Sequence, residues 1–327
     1  MKSVLITGGA GYIGSHVCKY ISAKGYHPIA VDNLICGHKN AVRWGSFFEG
    51  SIADSDFLNQ IFKEFDVHAV MHFAAFCYVG ESVSRPDKYY NNNVANTLKL
   101  LDAMVKHGVN KLVFSSSCAT YGEPLELPIT EEHPQRPINP YGKAKLMVED
   151  ILSDYHHSFG LNYVSLRYFN AAGADPEGEL GEDHRPETHL IPLLLHSVQN
   201  PGTTFLVNGD DYPTHDGTCV RDYIHVQDLA QAHFLALEHL LRGAKSNFFN
   251  LGNGRGYSIR EVIKTVEAVT GKTIPYQIAK RRPGDPAVLL SSSEKAKREL
   301  GWRPQITDLG EIITTAWRWH STHPAGY

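Results

Sequence analysis

Five short stretches of the chain concentrate its apolar residues: SVLIT (3–7), HPIAVD (27–32), VHAVMHFAA (67–75), KLVFSSS (111–117) and NYVSLRYFN (162–170). Runs of that length and composition read as buried strands. Between them, Tyr12 to Ala23, Ser55 to Glu64, Pro86 to His107 and Pro140 to about His157 read as helices. Strand alternating with helix predicts an α/β fold, a Rossmann-like doubly wound parallel sheet with helices on both faces. The rhythm breaks after Asn170, where AAGADPEGELGEDHRPETH is rich in Gly, Pro and charge and reads as an ordered loop. Beyond it, Gln227 to Leu241 reads as helix and NFFNLG (247–252) as strand, and Ser258-Ile-Arg-Glu261 is a capping box opening another helix. We expect a first domain over 1–170, joined by about 220–252, and a smaller, discontinuous α/β lobe over 171–327.

Composition narrows the function classes. A chain of 327 residues is too long for one small core, which agrees with a large domain carrying a second lobe. The formal charge of −4, without Lys/Arg clusters interleaved with aromatics, argues against a nucleic-acid partner. Cysteines 18, 36, 77, 118 and 219 form no CxxC pair and read as free thiols of a cytoplasmic protein. No apolar run approaches the ~18 residues of a membrane span, so no membrane partner is expected. Lys2 leads directly into a strand, and no targeting segment is expected. The 18 histidines include His156-His157 and the His320/His323 pair, which have no carboxylate or cysteine partners at ligand spacing. No metal site is expected.

The chemistry starts in TGGAGYIG, residues 7–14. Gly8 would end the first strand in a tight turn, Gly11 would let the backbone approach a pyrophosphate, and Gly14 would let the helix pack close. Asp32 stands 18 residues after Gly14 at the end of the second strand, where a carboxylate accepts hydrogen bonds from both adenosine ribose hydroxyls. An acid there favours NAD, because a 2′-phosphate would meet a like charge.

A second constellation lies at the far end of the sheet. Tyr141 and Lys145, four residues apart, occupy one helix face, and Asn139-Pro140 is a good N-cap and first-turn pair. A lysine ammonium beside a phenol favours the phenolate, which would make Tyr141 a general base near neutral pH. Ser117, at a strand's carboxyl end, could bond the same substrate hydroxyl. Glycine loop, strand-end serine and YxxxK in that order define a candidate catalytic trio of Ser117, Tyr141 and Lys145.

With these motifs in place, the chain resembles the extended short-chain dehydrogenase/reductases and, within them, the UDP-galactose (UDP-glucose) 4-epimerases. The resemblance runs through TGGAGYIGSH, HFAA…VGES, YYNNNV, SSSCATYGE, NPYGKAKLMVE, LRYFNAAGADPEG, GEDHRPE, DYPTHDGTCVRDYIHVQDLA, RRPGDPA and ELGW. It implies an isomerase that holds NAD, oxidises the sugar at C4 with Tyr141 as base, turns the ketone over and reduces its other face. It also implies cofactor contacts from Tyr12, Ile13, Asn33, Ser51, Ile52, Phe73, Ala74, Ala75, Asn92 and Tyr168, beside Gly8, Gly11, Gly14, Asp32, Tyr141 and Lys145. For the UDP-sugar it implies Asn170, Arg221 and Arg282 at the diphosphate, Asp285 at the uridine ribose, and His189, Leu190 and Asn208 beside them. Val288, three residues after the Asp of RRPGD, would wall the sugar pocket near C2, so that N-acetylated UDP-hexosamines would fit. A homodimer is implied as well, through a bundle of the helices at 86–107 and 140–157.

Three positions depart from the family pattern: Cys77 stands for a lysine, Ser51 for an acid, and His189-Leu190 for Asn-Leu. UDP-arabinose/UDP-xylose epimerisation stays open as an alternative. A nucleotide-sugar dehydratase would carry an Asp-Glu pair after the strand-end serine, where this chain has Cys118-Ala119. A non-catalytic NAD-binding sensor would have no need to retain both Tyr141 and Lys145.

Overall fold

The computed structural model describes residues 1–200, 202–282 and 285–327. The first half alternates β1 (Ser3–Thr7), α1 (Tyr12–Ala23), β2 (His27–Asp32), β3 (Ser46–Glu49), α2 (Ser55–Glu64) and β4 (Val67–His72). Then follow α3 (Val79–Ser84), α4 (Pro86–Tyr90), α5 (Asn96–Lys106), β5 (Lys111–Ser115), α6 (Pro140–Phe159), β6 (Asn162–Tyr168) and β7 (Asn170–Ala172). The second half contains α7 (Leu190–Gln199), β8 (Phe205–Asn208), β9 (Val220–His225), α8 (Val226–Leu241), β10 (Asn247–Leu251) and β11 (Gly256–Ser258). It ends with α9 (Ile259–Thr270), β12 (Tyr276–Ala279), β13 (Val288–Leu289), α10 (Glu294–Glu299) and α11 (Leu309–Thr322).

Seven parallel strands in the order β10-β6-β5-β4-β1-β2-β3 form the large sheet, so the order reverses between β1 and β4. Ligands of doubly wound sheets bind outside the strand ends at such a switch point. Period-two alternation decides what each face buries: Val4 and Ile6 point into a core with Val17 and Ile21 of α1 and Leu229 and Leu237 of α8. Leu5 points the other way, into a core with Leu58 of α2, Leu100 of α5 and Val148 of α6. The strand at 247–251 edges this sheet. Residues 220–225 instead join a small sheet with β7, β11 and β13, whose core is packed by α7, α9 and α11.

Four expected elements stop short or deform. The strands drawn to 75, 117 and 170 end at His72, Ser115 and Tyr168, because their carboxyl-terminal residues leave the ladder to form the crevice. The helix expected over 86–107 contains a π-helical turn at Asn91–Ala95. There the Asn93 side chain accepts from Phe76 N and donates to Phe76 O, both at 2.9 Å. A helix distorted by one inserted residue is a usual device for aiming such a group.

Candidate active site

The glycine loop forms at the β1/β4 switch point. Gly8 has φ +73°, and a Cβ there would lie 2.6 Å from Ala74 N; a Cβ on Gly14 would lie 2.1 Å from Gly8 O. Both glycines are therefore demanded by packing. Gly11 meets only Gly8 O, at 3.3 Å, and caps α1 without a side-chain hydrogen bond. The first-turn amides of Tyr12, Ile13 and Gly14 thus remain available to an anion at the helix N-terminus. Beside them Asp32 is held by Ala10 N (3.0 Å to Oδ2) and Leu34 N (2.9 Å to Oδ1). Burial pushes its carboxyl upward and the two amides oppose that.

The remaining expected cofactor residues gather around this point. Asn33 Oδ1 accepts from Ile35 N at 3.2 Å, and Gly50 N donates to Asp32 O at 3.0 Å, which sets Ser51 and the buried Ile52 beside the acid. Ser51 Oγ accepts from Ala53 N at 3.1 Å. The Phe73 and Ala74 amides both donate to Thr7 O, turning Ala75 and Phe76 toward the crevice. Asn92 donates to Asn93 Oδ1 at 2.9 Å. A dinucleotide's adenosine and pyrophosphate fit this set: a carboxylate at the second strand end, open amides at the first helix, and glycines where a Cβ would intrude.

The catalytic trio is assembled by a close backbone approach. Asn139 caps α6 through Gly142 N at 2.8 Å, with Pro140 in the first turn. A Cβ on Gly142 would lie 2.3 Å from Ala119 O, so only glycine lets α6 seat against the turn that follows Ser117. Ser117 Oγ accepts from Ala119 N at 3.1 Å. Lys145 Nζ donates to Ser115 O at 2.7 Å and lies 5.9 Å from the centre of the Tyr141 ring. Tyr168 OH bonds Ser115 Oγ at 2.8 Å.

The electrostatics differ from the sequence expectation. Burial pushes the Tyr141 hydroxyl well above its ordinary value, with Tyr168 and Cys77 adding to the rise and the Ser117 hydroxyl opposing it. Burial also pushes the Lys145 amine down to about 8. The lysine alone does not make Tyr141 a phenolate, because both groups have lost water and the ammonium spends a hydrogen bond on Ser115 O.

A buried ion pair absent from the sequence reading lies behind the trio. Glu149 of α6 and Arg167 of β6 meet at 2.6 Å with side chains 8% and 4% exposed, and Ser116 Oγ donates to Glu149 at 2.6 Å. It ties the catalytic helix to the strand carrying Tyr168. His72 is a second such group, linking Thr7 Oγ1 (2.6 Å) to Thr97 Oγ1 (2.9 Å) across the cofactor end of the sheet. Lone buried polar residues inside apolar runs were the only signal for either.

The expected substrate residues come together from separate elements. Asn170 donates to Asp222 O at 2.8 Å. Arg221 is paired with Asp285, so the expected diphosphate and ribose contacts hold each other. Asn208, with its amide oxygen facing Arg282, accepts from that guanidinium at 3.1 and 3.2 Å. His189 caps α7, Leu190 begins it, and His189 Nδ1 lies 2.9 Å from oxygens of both Glu182 and Glu187. Val288 is paired with Val220 and Leu289 with Arg221 in the parallel β9/β13 register. Leu289 therefore shares a sheet face with Arg221 and packs on the cluster of Tyr121, Ile129 and Phe169, on which Cys118, the neighbour of Ser117, also packs. Val288, one residue earlier in the strand, points to the opposite face.

Known proteins share this arrangement over their full length. The chain is 51% identical over 325 residues to a UDP-glucose 4-epimerase of Halalkalibacterium halodurans, covering 99% of this chain and 97% of that one. The crystal structure of UDP-glucose 4-epimerase from Brucella ovis in complex with NAD superposes with TM-score 0.95 at 51% identity, covering 97% of this chain and 98% of that one. That of the Bifidobacterium longum enzyme with NAD+ and UDP does so with TM-score 0.95 at 40% identity, covering 100% of both chains. Matching the NAD dependent epimerase/dehydratase family over residues 4–252, the chain belongs to that family.

Proposed function

We propose that this chain is an NAD-dependent UDP-sugar 4-epimerase that interconverts UDP-glucose and UDP-galactose through a transient 4-keto sugar. The observation that carries the reading is the joint placement of Ser117, Tyr141 and Lys145 by the Gly142–Ala119 contact, at the same strand ends as the glycine loop and Asp32. NAD, when bound, supplies the hydride acceptor and donor, and its oxidised ring brings the positive charge that favours the Tyr141 phenolate. Tyr141 takes the proton of the sugar 4-OH and later returns it, Ser117 holds that oxygen, and Lys145 is kept in place by Ser115 O. Arg221 of β9 and Arg282, which follows β12, give the diphosphate two guanidinium forks. The test is a panel of UDP-sugars incubated with purified protein without added NAD, with products separated. Absence of 4-epimerised product from either UDP-hexose, with NAD supplied, would sink the proposal.

Leu289 rather than Val288 sets the size of the sugar pocket, because Leu289 shares the face of Arg221 and packs on the Tyr121 and Phe169 cluster that Cys118 also packs on. A leucine leaves more room than an aromatic residue, and acetamido sugars are accepted on this reading. Leu289→Tyr should remove turnover of UDP-N-acetylglucosamine while sparing UDP-glucose, whereas Val288→Tyr should not discriminate between them. The protein acts in the cytoplasm as a homodimer that covers Val83, Val105 and Met147, exposed by 64%, 37% and 44% along the helices at 79–106 and 140–159. Light scattering showing a monomer would remove the dimer.

A further inference from the structure

The loop that leads from β7 to α7 carries two clusters of metal-ligand side chains, and their difference is informative. In the first, Asp175, Glu177 and Glu179 surround Lys19 Nζ, which bonds their carboxylates at 2.6 to 3.0 Å. That cluster already has its cation. In the second, one ligand atom from each of Glu182, His184, Glu187 and His189 lies within 4.8 Å of all the others. Among the described residues no lysine or arginine reaches either of its carboxylates.

Hydrogen bonding alone leaves this quartet incompletely matched. His189 Nδ1 is 2.9 Å from Glu182 Oε1 and 2.9 Å from Glu187 Oε1, although one N–H can serve only one of them. His184 Nδ1 is shut off from solvent, 3.2 Å from Glu182 and 3.5 Å from Glu187, and meets neither in hydrogen-bonding geometry. Glu187 Oε1 is occupied by the Thr188 and His189 amides at 2.7 and 2.8 Å, leaving Oε2 turned toward His184. Four potential ligand atoms are thus gathered together, with the buried His184 Nδ1 left without a hydrogen-bond partner. A tetrahedral zinc ion with bonds of ~2.0–2.1 Å has ligand-to-ligand edges of ~3.3 Å. Glu182 Oε1 lies 3.2 Å from His184 Nδ1 and 2.9 Å from His189 Nδ1, near that value, and the four ligand atoms all lie within 4.8 Å of one another.

We propose that Glu182, His184, Glu187 and His189 bind a divalent first-row metal ion, zinc in the first instance, through both Nδ1 atoms and one oxygen of each carboxylate. Two carboxylates balance the ion's charge, and the histidines bind as neutral imidazoles, so the ion takes the place of two protons. The rings of Tyr12 and Tyr78 lie 6.4 and 6.1 Å from that of His184, enclosing the point between the glycine-loop helix and the turn after β4. Coordination through Nδ1 leaves Nε2 of His189 free, on a side chain 39% exposed. The ion would therefore brace the loop that presents His189 and Leu190 to the substrate. It has no place in the hydride or proton steps. The eight-residue spacing E-x-H-x-x-E-x-H was visible in the sequence, but only the fold shows that its side chains converge.

The experiment uses the full chain with its NAD. After treatment with a strong chelator and gel filtration, it is loaded with one equivalent of Zn2+ or Co2+, and bound metal is measured by mass spectrometry. The expected result is about one equivalent per chain, with Co2+ giving the intense visible bands of a tetrahedral site. Glu182→Gln and His184→Gln should each lower retention at least ~10-fold, with circular dichroism and NAD content checking the fold. Asp175→Asn, in the lysine-filled cluster, should retain metal as the parent does. No retention by the parent chain, six-coordinate Co2+ spectra, or equal retention by both quartet variants would each overturn the proposal, the last by placing the ion on other histidines.

Discussion

Two sets of buried titratable groups lie near Cys77, and burial has opposite outcomes in them. In the catalytic trio, desolvation wins: Lys145 falls to about 8 and Tyr141 rises. In the loop, opposite charges win: His184 rises to about 10 and Glu187 is held far below the usual carboxylate range, although both are largely buried. The difference lies in partners. Lys145 faces a carbonyl and a phenol, whereas each loop histidine faces two carboxylates. A site that must change protonation state during turnover keeps its groups near neutrality, and a site that must hold a shape fixes their charges.

The largest effect is expected where pairing alone sustains a buried charge. Arg167→Met would strand Glu149 behind the catalytic helix and should cost about 3–5 kcal/mol in urea unfolding. Adding Glu149→Leu should restore most of that, and a cost below about 1 kcal/mol for the single variant would remove the pair from this account. Next comes Tyr141→Phe, which takes away the base without touching a charge. Turnover should fall at least ~100-fold, or about 2.7 kcal/mol, while NAD content stays at the parent level. Ordinary turnover in this variant would end the assignment.

The third prediction separates the two outcomes of burial by pH. His16, His72, His225 and His233 are buried with folded pKa values lowered to about 4, 3, 3 and 4, chiefly by desolvation. Below pH 6.5 the unfolded chain binds protons that the folded chain refuses, so their stabilisation is present above 6.5 and is lost as pH falls toward 4. Each should contribute a slope of up to about 1.4 kcal/mol per pH unit. In the metal-free chain His184 has the opposite sign: its contribution is complete below 6.5 and fades as pH rises toward about 10. Unfolding midpoints flat between pH 6.5 and 5 would contradict the neutral buried histidines. The smallest effect belongs to Lys19→Met, at most about 1 kcal/mol, since Glu177 and Glu179 are 73% and 39% exposed and Asp175 keeps its bond from Gln227. A loss above about 2 kcal/mol would show that the lysine, too, sustains a buried charge.

Much of the chemistry was legible because local rules wrote it. Asn139-Pro140, the Ser258/Glu261 box and the span Tyr12–Ala23 follow from capping and periodicity, and the structure has all three. Elements whose existence depends on a neighbour were not legible. The two-residue strand at Val288–Leu289 exists only as an addition to β9, and SFFE at 46–49 only as an addition to β2. The π-helical turn at 91–95 serves a side chain that must reach Phe76, which lies 17 residues earlier in the chain than Asn93.

The sequence by itself determined the main alternation of strands and helices, the glycine loop with its acid, and the choice of Ser117, Tyr141 and Lys145 as the candidate catalytic trio. Each of these depends on residues within one turn or one strand of each other, or on a fixed order along the chain. Tertiary structure alone decided the protonation of Tyr141 and Lys145, the partnership of Arg221 with Asp285, and the convergence of Glu182, His184, Glu187 and His189. It also decided that Leu289, and not Val288, shares a sheet face with Arg221. A pKa depends on the water and charge that packing leaves around a group, and a strand's two faces are indistinguishable until its register against a neighbour is set.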